Sequence, residues 1–307
     1  MLTNYKETVP IALFTYNRPE HAESSITALF ENDLSEKCDI FIYSDGPKNQ
    51  KDINPTNKVR LLLKKYEKTK NIKIIYRDKN LGLANSIISG ATELIKHYGK
   101  VIILEDDLEV SPHFIKYMKE ALWRYRNCNK VLQISAFGFN IESEDNYDAY
   151  FLPFTTSWGW GTWERSWKLF DYEMKYLEVI KKNPELKKRF NLNNSVDYYS
   201  MAIQAKLGNL DSWAIRWYLS NFKEAGLTLY PKKSLVKNIG FDGTGTHCGY
   251  RSKKSLTFDK AFQVVKFPEI VIESSNKDEI FKCLKNYNIN NGFNLYHAIF
   301  QKIKNLL

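Results

Sequence analysis

The chain has 307 residues, 43% hydrophobic and 26% charged, with a formal net charge of +10. That length holds one large α/β core, or a core with a smaller appendage, and the lack of any run of about 18 apolar residues excludes a membrane-spanning helix. The opening MLTNYKETVP has no apolar stretch behind a basic start, and Cys38, Cys128, Cys248 and Cys283 lie far apart without zinc-site spacing. No secretory signal and a reduced, cytoplasmic setting are therefore expected.

Along the first part of the chain short apolar runs alternate with helical patterns. Val9–Tyr16 reads as a strand, then a helix from about Pro19 to Glu31, a strand at Cys38–Asp45 and a Gly46–Pro47 turn. A helix is expected around Val59–Tyr66, a strand at Ile72–Arg77, and a helix over Leu83–Lys96 with Gly99 as its C-cap. The strand Lys100–Leu104 then runs into Glu105-Asp106-Asp107. Such alternation predicts an α/β fold, a mixed but mainly parallel sheet flanked by helices. Ligands of such sheets bind beyond the carboxyl ends of the strands, where Thr15-Tyr16-Asn17-Arg18, Ser44-Asp45-Gly46 and the acidic triplet gather.

Further on, Ser111-Pro112 reads as an N-cap with proline at the first helical position, opening a helix to about Asn127. Val131–Phe137 and Ala149–Phe154 read as strands, residues 162–207 as packed helices, Asp211–Ala225 as a helix stopped by Gly226, and Leu227–Gly240 as strand-like. A Gly-rich polar loop follows at Phe241–Lys254, and no internal repeat is visible.

Three adjacent acids repel one another and need a positive partner. A hard cation such as Mn2+ or Mg2+ bridging diphosphate oxygens is one, with Asp107 on the metal and Asp106 toward a ribose hydroxyl. An acidic first helical turn is the plainer explanation. LEDDLEVSPHF, Leu104–Phe114, closely resembles the metal-binding segment of the N-acetylglucosaminyltransferase I family. The chain also looks like bacterial family-2-type transferases of surface polysaccharide assembly, in islands over roughly residues 8–245.

The resemblance implies a GT-A fold and an inverting, metal-dependent transferase using a UDP-sugar, with GlcNAc the leading sugar. It implies that Asp107 holds the metal, that Glu105 and Asp106 contact donor sugar and ribose, that Arg18 grips the nucleotide and that Asp45 contacts the uracil. Thr15 and Asn17 join that donor set, and Asn80 stands where the family has a nucleotide-contacting histidine. The pattern changes after residue 110 and no low-complexity linker is visible, so a single catalytic domain is expected over 1–255, with a nucleotide-sugar half at 1–110 and an acceptor half at 111–255, and an extension over 256–307.

Inverting transfer requires a general base on the acceptor side. Asp211, in Asp211-Ser212-Trp213, matches the family's base-bearing Asp-Asp-Trp segment, with Asp197 in reserve; a cap on the following helix is the structural alternative for Asp211. The segment Phe154–Trp167 holds four of the seven tryptophans. Trp158, Gly159, Trp160 and Trp213 are assigned to the donor and acceptor cleft, since an indole offers an apolar face to sugar C–H bonds; Trp163 and Trp167 are assigned to the core. His247, in Gly240–Gly249, is a weaker contact for diphosphate or metal. The stretch Phe293–Leu307 is amphipathic, able to dock on the core or on a membrane carrying a lipid-linked acceptor at the inner face.

Two other readings stay open: a sugar-nucleotide pyrophosphorylase, disfavoured because TYNRPEH after the first strand lacks a Gly-rich loop with lysine, and an inactive nucleotide- or glycan-binding module. The charge alone does not choose a partner, and with the basic residues scattered and no nucleic-acid motif, nucleic acid is not expected.

Overall fold

The computed structural model describes residues 8–140, 146–242 and 259–290. The alternating first part comprises β1 Ile11–Thr15, α1 Pro19–Phe30, β2 Ile40–Ser44, α2 Gln50–Leu63, β3 Ile72–Tyr76, α3 Leu83–Tyr98 and β4 Lys100–Glu105. Then follow β5 Leu108–Val110, α4 Phe114–Arg124, β6 Val131–Ser135, β7 Ala149–Leu152, β8 Trp160–Trp163 and α5 Glu164–Trp167. The remainder is α6 Leu177–Lys181, α7 Pro184–Phe190, α8 Tyr198–Lys206, α9 Trp213–Lys223, β9 Leu227–Pro231, β10 Val236–Asn238 and α10 Lys277–Asn290.

Eight strands form one sheet in the order β3-β2-β1-β4-β8-β6-β9-β7. The first four pair in parallel, β8 runs antiparallel between β4 and β6, β9 is parallel to β6, and β7 closes the edge antiparallel. Six strands therefore point one way, and their carboxyl ends share an edge.

Strand alternation sorts the core onto the two faces. Ile11, Leu13, Ile40, Ile42, Ile102 and Leu104 pack with α1, α2 and α4. Ala12, Phe14, Tyr43, Val101 and Ile103 pack with α3 and with Trp160, Trp167, Trp213 and Trp217. A third cluster joins β7 to α6, α7, α8 and α9, with Ile280 and Phe281 of α10 buried in it. Before α10 the chain crosses α4 and β7: Val265 and Lys266 donate to the Asp148 carboxylate at 2.9 and 2.8 Å, and the Tyr125 hydroxyl donates to the Pro268 carbonyl at 2.7 Å.

Several elements differ from the sequence reading. Trp160–Trp163 is a strand in the middle of the sheet rather than a turn leading into helices; all four residues are buried. A strand covered on both faces has no polar alternation to reveal it. The three-residue strands β5 and β10, which pair antiparallel, are too short for any periodicity. Ser111 does not cap at the expected position: α4 starts at Phe114, and the Ser111 hydroxyl and carbonyl instead accept from His113 N and Phe114 N at 3.3 and 3.0 Å in a preceding turn. Helix α2 begins at Gln50, capped by Asn49, well before the expected Val59. Gly99 ends α3 in the left-handed region, φ 70°, as its position predicts.

Gly90 seats α3 on the sheet. A Cβ there would lie 2.8 Å from Phe14 Cζ and 3.1 Å from Tyr43 Cζ, in two rings already stacked at 4.9 Å. Alanine in a helix interior ordinarily gains up to ~1 kcal/mol over glycine, whereas overpacking costs ~1–3 kcal/mol. Gly90→Ala is expected to lower stability in urea titration by about 1 kcal/mol or more; a gain would mean that α3 is not seated on these rings.

Candidate active site

Register places the candidate residues together. Thr15 is opposite Ser44, Ser44 opposite Tyr76, and Phe14 opposite Glu105, so the chain leaves β1, β2, β3 and β4 on one side of the sheet. Thr15 itself is buried, its hydroxyl donating to the Tyr43 carbonyl at 3.2 Å. Asn17 donates to Asp52 at 2.9 Å, which ties the start of α1 to α2.

Arg18 is the positive partner of the acidic triplet. Its Nη2 bonds Asp106 Oδ1 and lies 3.1 Å from Asp107 Oδ2, and Tyr16 N donates to Asp106 Oδ2 at 3.1 Å. The positive partner that the acids need is thus supplied for two of them by a guanidinium. Burial works against the charge of Arg18, yet Asp106 and Asp107 more than compensate and hold its pKa above the ordinary value. Burial raises Asp106, with Arg18 opposing. Glu105 lies beyond this pairing; burial first, then the charges of Asp107 and Asp106, push it up to about 8, although the Trp213 indole N–H donates to it.

A divalent cation fits this donor set in one particular mode. Among the described residues no group of three or more His, Cys, Asp or Glu forms a protein cage. Asp106 and Asp107 nevertheless share one guanidinium, with Glu105 beside them, which leaves a surplus of negative charge at a strand end. Gly240 leaves bare the space beside them, where a Cβ would meet Asp107 Oδ2 at 2.5 Å and Arg18 Nη1 at 3.0 Å. That suits a cation held by one carboxylate with phosphate oxygens completing the shell. The sequence marks Gly240 only as the junction of a strand-like stretch and a loop; its contact with Asp107 depends on the β5–β10 pairing, which no local signal marks. His247 falls within 243–258, outside the described residues.

Asp45 and Asp211 grip one loop from two sides. The Asp45 carboxylate accepts from Gly46 N at 3.0 Å, Leu81 N at 3.0 and 3.1 Å, Gly82 N at 3.2 Å and Asn80 Nδ2 at 3.2 Å. Asn80 also donates to the Gly46 carbonyl at 2.8 Å, and a Cβ on Gly46 would sit 2.6 Å from the Lys79 carbonyl carbon. Asp211 Oδ2 and Oδ1 accept from Leu83 N and Ala84 N at 3.0 and 3.2 Å. Asp211 thus caps α3 from another element, while Ser212 caps α9 by accepting from Ile215 N at 3.4 Å. Asp197 caps α8, accepting from Ser200 N at 3.2 Å.

The tryptophans divide. Trp158 is half-buried at the carboxyl edge, its ring edge-on to Phe137 at 5.0 Å and Phe241 at 5.6 Å. Gly159 is buried with φ 62°, and a Cβ there would lie 2.9 Å from Val236 Cγ1. Trp160 and Trp213 stack at 4.7 Å and are 0% and 2% exposed, so neither ring offers a face to solvent; their large apolar area holds α9 on β8. Trp163 and Trp167 are buried, their indoles donating to the Leu122 carbonyl and the Thr92 hydroxyl at 2.9 Å.

The folded chain holds a proton on Glu105 that the unfolded chain releases near its ordinary 4.5. Stability from this group is full below that value and is lost as pH rises toward about 8. In metal-free protein, Glu105→Gln is expected to raise the melting temperature over wild type by at least about 3 °C more at alkaline than at acidic pH. A difference independent of pH would contradict the charge surplus.

No family model matches the chain, nor does any curated protein. Among solved structures it is similar to S. aureus TarS 1-349, at 13% identity over 75% of this chain and 59% of that one, TM-score 0.41. It is similar also to the mannosyltransferase PcManGT from Pyrobaculum calidifontis in complex with GDP-Man and Mn2+, at 11% identity over 72% of this chain and 75% of that one, TM-score 0.40. A third is S. aureus TarS, at 12% identity over 76% of this chain and 37% of that one, TM-score 0.39. The chain thus spans 59% and 37% of the two TarS chains, and at these identities and TM-scores the likenesses assign it no activity.

Proposed function

We propose that this chain is an inverting, divalent-metal-dependent glycosyltransferase of the GT-A type. On this reading it moves a sugar, GlcNAc as the leading choice, from a UDP-sugar to a glycan acceptor in surface polysaccharide or lipooligosaccharide assembly. It works in the cytoplasm or at the inner membrane face. The observation that carries the reading is the convergence of Asp106 and Asp107 on the Arg18 guanidinium, with Glu105 beside them, at the carboxyl edge of parallel strands. An electronegative crevice at that edge suits a cation with a nucleotide diphosphate.

In this account Asp107 holds Mn2+ or Mg2+, which when bound supplies positive charge against the diphosphate of the leaving group. Arg18 keeps Asp106 and Asp107 oriented, and Asp106 accepts from the ribose. The loop fixed by Asp45 and Asn80 borders the base. Trp158 presents the aromatic edge of the sugar cleft. Asp211 takes the proton of the acceptor hydroxyl as its oxygen bonds the anomeric carbon and the bond to the diphosphate breaks. Both Asp211 oxygens already accept from α3 amides, and this favours a second reading in which Asp211 only caps and the chain is a nucleotide- or glycan-binding module without activity.

Calorimetric titration of UDP and a panel of UDP-sugars, with and without Mn2+, tests the donor site. Binding is expected to require metal and to disappear in Asp107→Ala; wild type that takes up no nucleotide with any metal would remove the transferase reading. Asparagine caps helices about as well as aspartate but is no base, so Asp211→Asn is expected to keep the melting temperature and lose about 10²–10⁴ in transfer rate. Near-normal transfer by that variant would reduce Asp211 to a cap.

A further inference from the structure

We infer that the outer face of α6 and α7, with the hollow beside the C-terminal end of α9, seats the protein on an anionic lipid surface. Residues 177–190 carry Lys181, Lys182, Lys187, Lys188 and Arg189 against Glu178 and Glu185. All five cations are exposed. Lys181, Lys182 and Lys188 make no ion pair among the described residues, and Glu178 is already 3.7 Å from Lys206. The charged heads of Lys187 and Arg189 lie over the rings of Tyr199 and Phe222 at 4.3 and 5.9 Å, which holds these two cations against the protein and leaves Lys181, Lys182 and Lys188 as the cations without an ion pair among the described residues.

Apolar side chains stand among these charges. Val179 is 47% exposed and Leu207 66% exposed, and their chain neighbours Glu178 and Lys206 lie 3.7 Å apart. Next to Val179 opens a hollow of about 480 Å3, floored by Leu169 and Phe170 and rimmed by Lys168, Lys175 and Lys223, with Asp171 also on its wall. The rim lysines lie 2.9, 2.9 and 3.2 Å from Glu164, Glu173 and Glu224. These are exposed pairs of little strength, readily exchanged for a phosphate.

The mixture selects the partner. A polyanion in water engages only the charges, whereas a membrane interface takes up lysines at its headgroups and Val179 and Leu207 at the acyl boundary. The face does not depend on the transferase reading, but α9 relates the two. Its first turn touches Glu105 through Trp213 and its last carries Lys223, about 15 Å apart along the helix.

Sedimentation of the full chain with vesicles tests the inference, using phosphatidylcholine alone and phosphatidylcholine mixed with phosphatidylglycerol. Binding is expected on the mixed vesicles only and weaker in high salt. The combined variant Lys181→Gln, Lys182→Gln, Lys187→Gln, Lys188→Gln is expected to bind at least about tenfold less. Val179→Ser with Leu207→Ser is expected to weaken vesicle binding while leaving retention on a single-stranded polynucleotide unchanged. Absence of wild-type binding, undiminished binding by the lysine variant, or a silent apolar variant would each overturn the inference. Nucleotide titration of the lysine variant separates this outcome from failure of the transferase reading, because none of the exchanged residues lies at the strand ends.

Discussion

Three consecutive carboxylates at the end of a buried strand set the electrostatic condition that the surrounding structure meets. Arg18 meets most of it, reaching from the junction of β1 and α1 to Asp106 and Asp107. The pairs are largely buried, so removing the guanidinium would leave two carboxylates uncompensated, a cost of about 3–5 kcal/mol. The same bonds lock the exits of β1 and β4, which are adjacent strands. Glu105 is left outside this pairing and keeps a proton. The result is a braced, electronegative cluster rather than a neutral one.

Three residues at the start of α9 connect this cluster to the rest of the molecule. Asp211 caps α3, Ser212 caps α9, and Trp213 stacks on Trp160 while donating to Glu105. One turn of chain therefore fixes two helices and one site carboxyl. Asp45 holds the other side of the same α3 entry. Positioning of this kind makes a loop behave as part of the sheet, and a site assembled on it keeps its geometry.

Much of this was legible in the sequence, for identifiable reasons. Strands β1, β2 and β4 are continuous apolar runs ending in polar residues, so both the sheet and the site edge could be read from them. The pairing of Arg18 with the triplet could not, since two charged segments 88 residues apart announce complementary sign but not contact. Tryptophan serves sugar binding and core packing equally well, so the sequence does not distinguish Trp160 and Trp213 from the proposed cleft residue Trp158; only their burial does. The sequence offers Asp211 as a base or as a cap on the helix that follows it, whereas the helix it caps is α3, a tertiary contact that local capping rules do not describe. Gly240 and strand β8 were hidden for the same reason: their meaning lies in what packs against them.

The central claim is that Asp107 faces a cation and a nucleotide diphosphate while Arg18 remains on Asp106. A crystal structure grown with Mn2+ and UDP, using the anomalous signal of manganese, tests it most directly. The account predicts an anomalous peak against the Asp107 carboxylate at about 2.0–2.3 Å, bridged to phosphate oxygens. A peak elsewhere, or UDP bound away from the carboxyl ends of β1, β2 and β4, would contradict it.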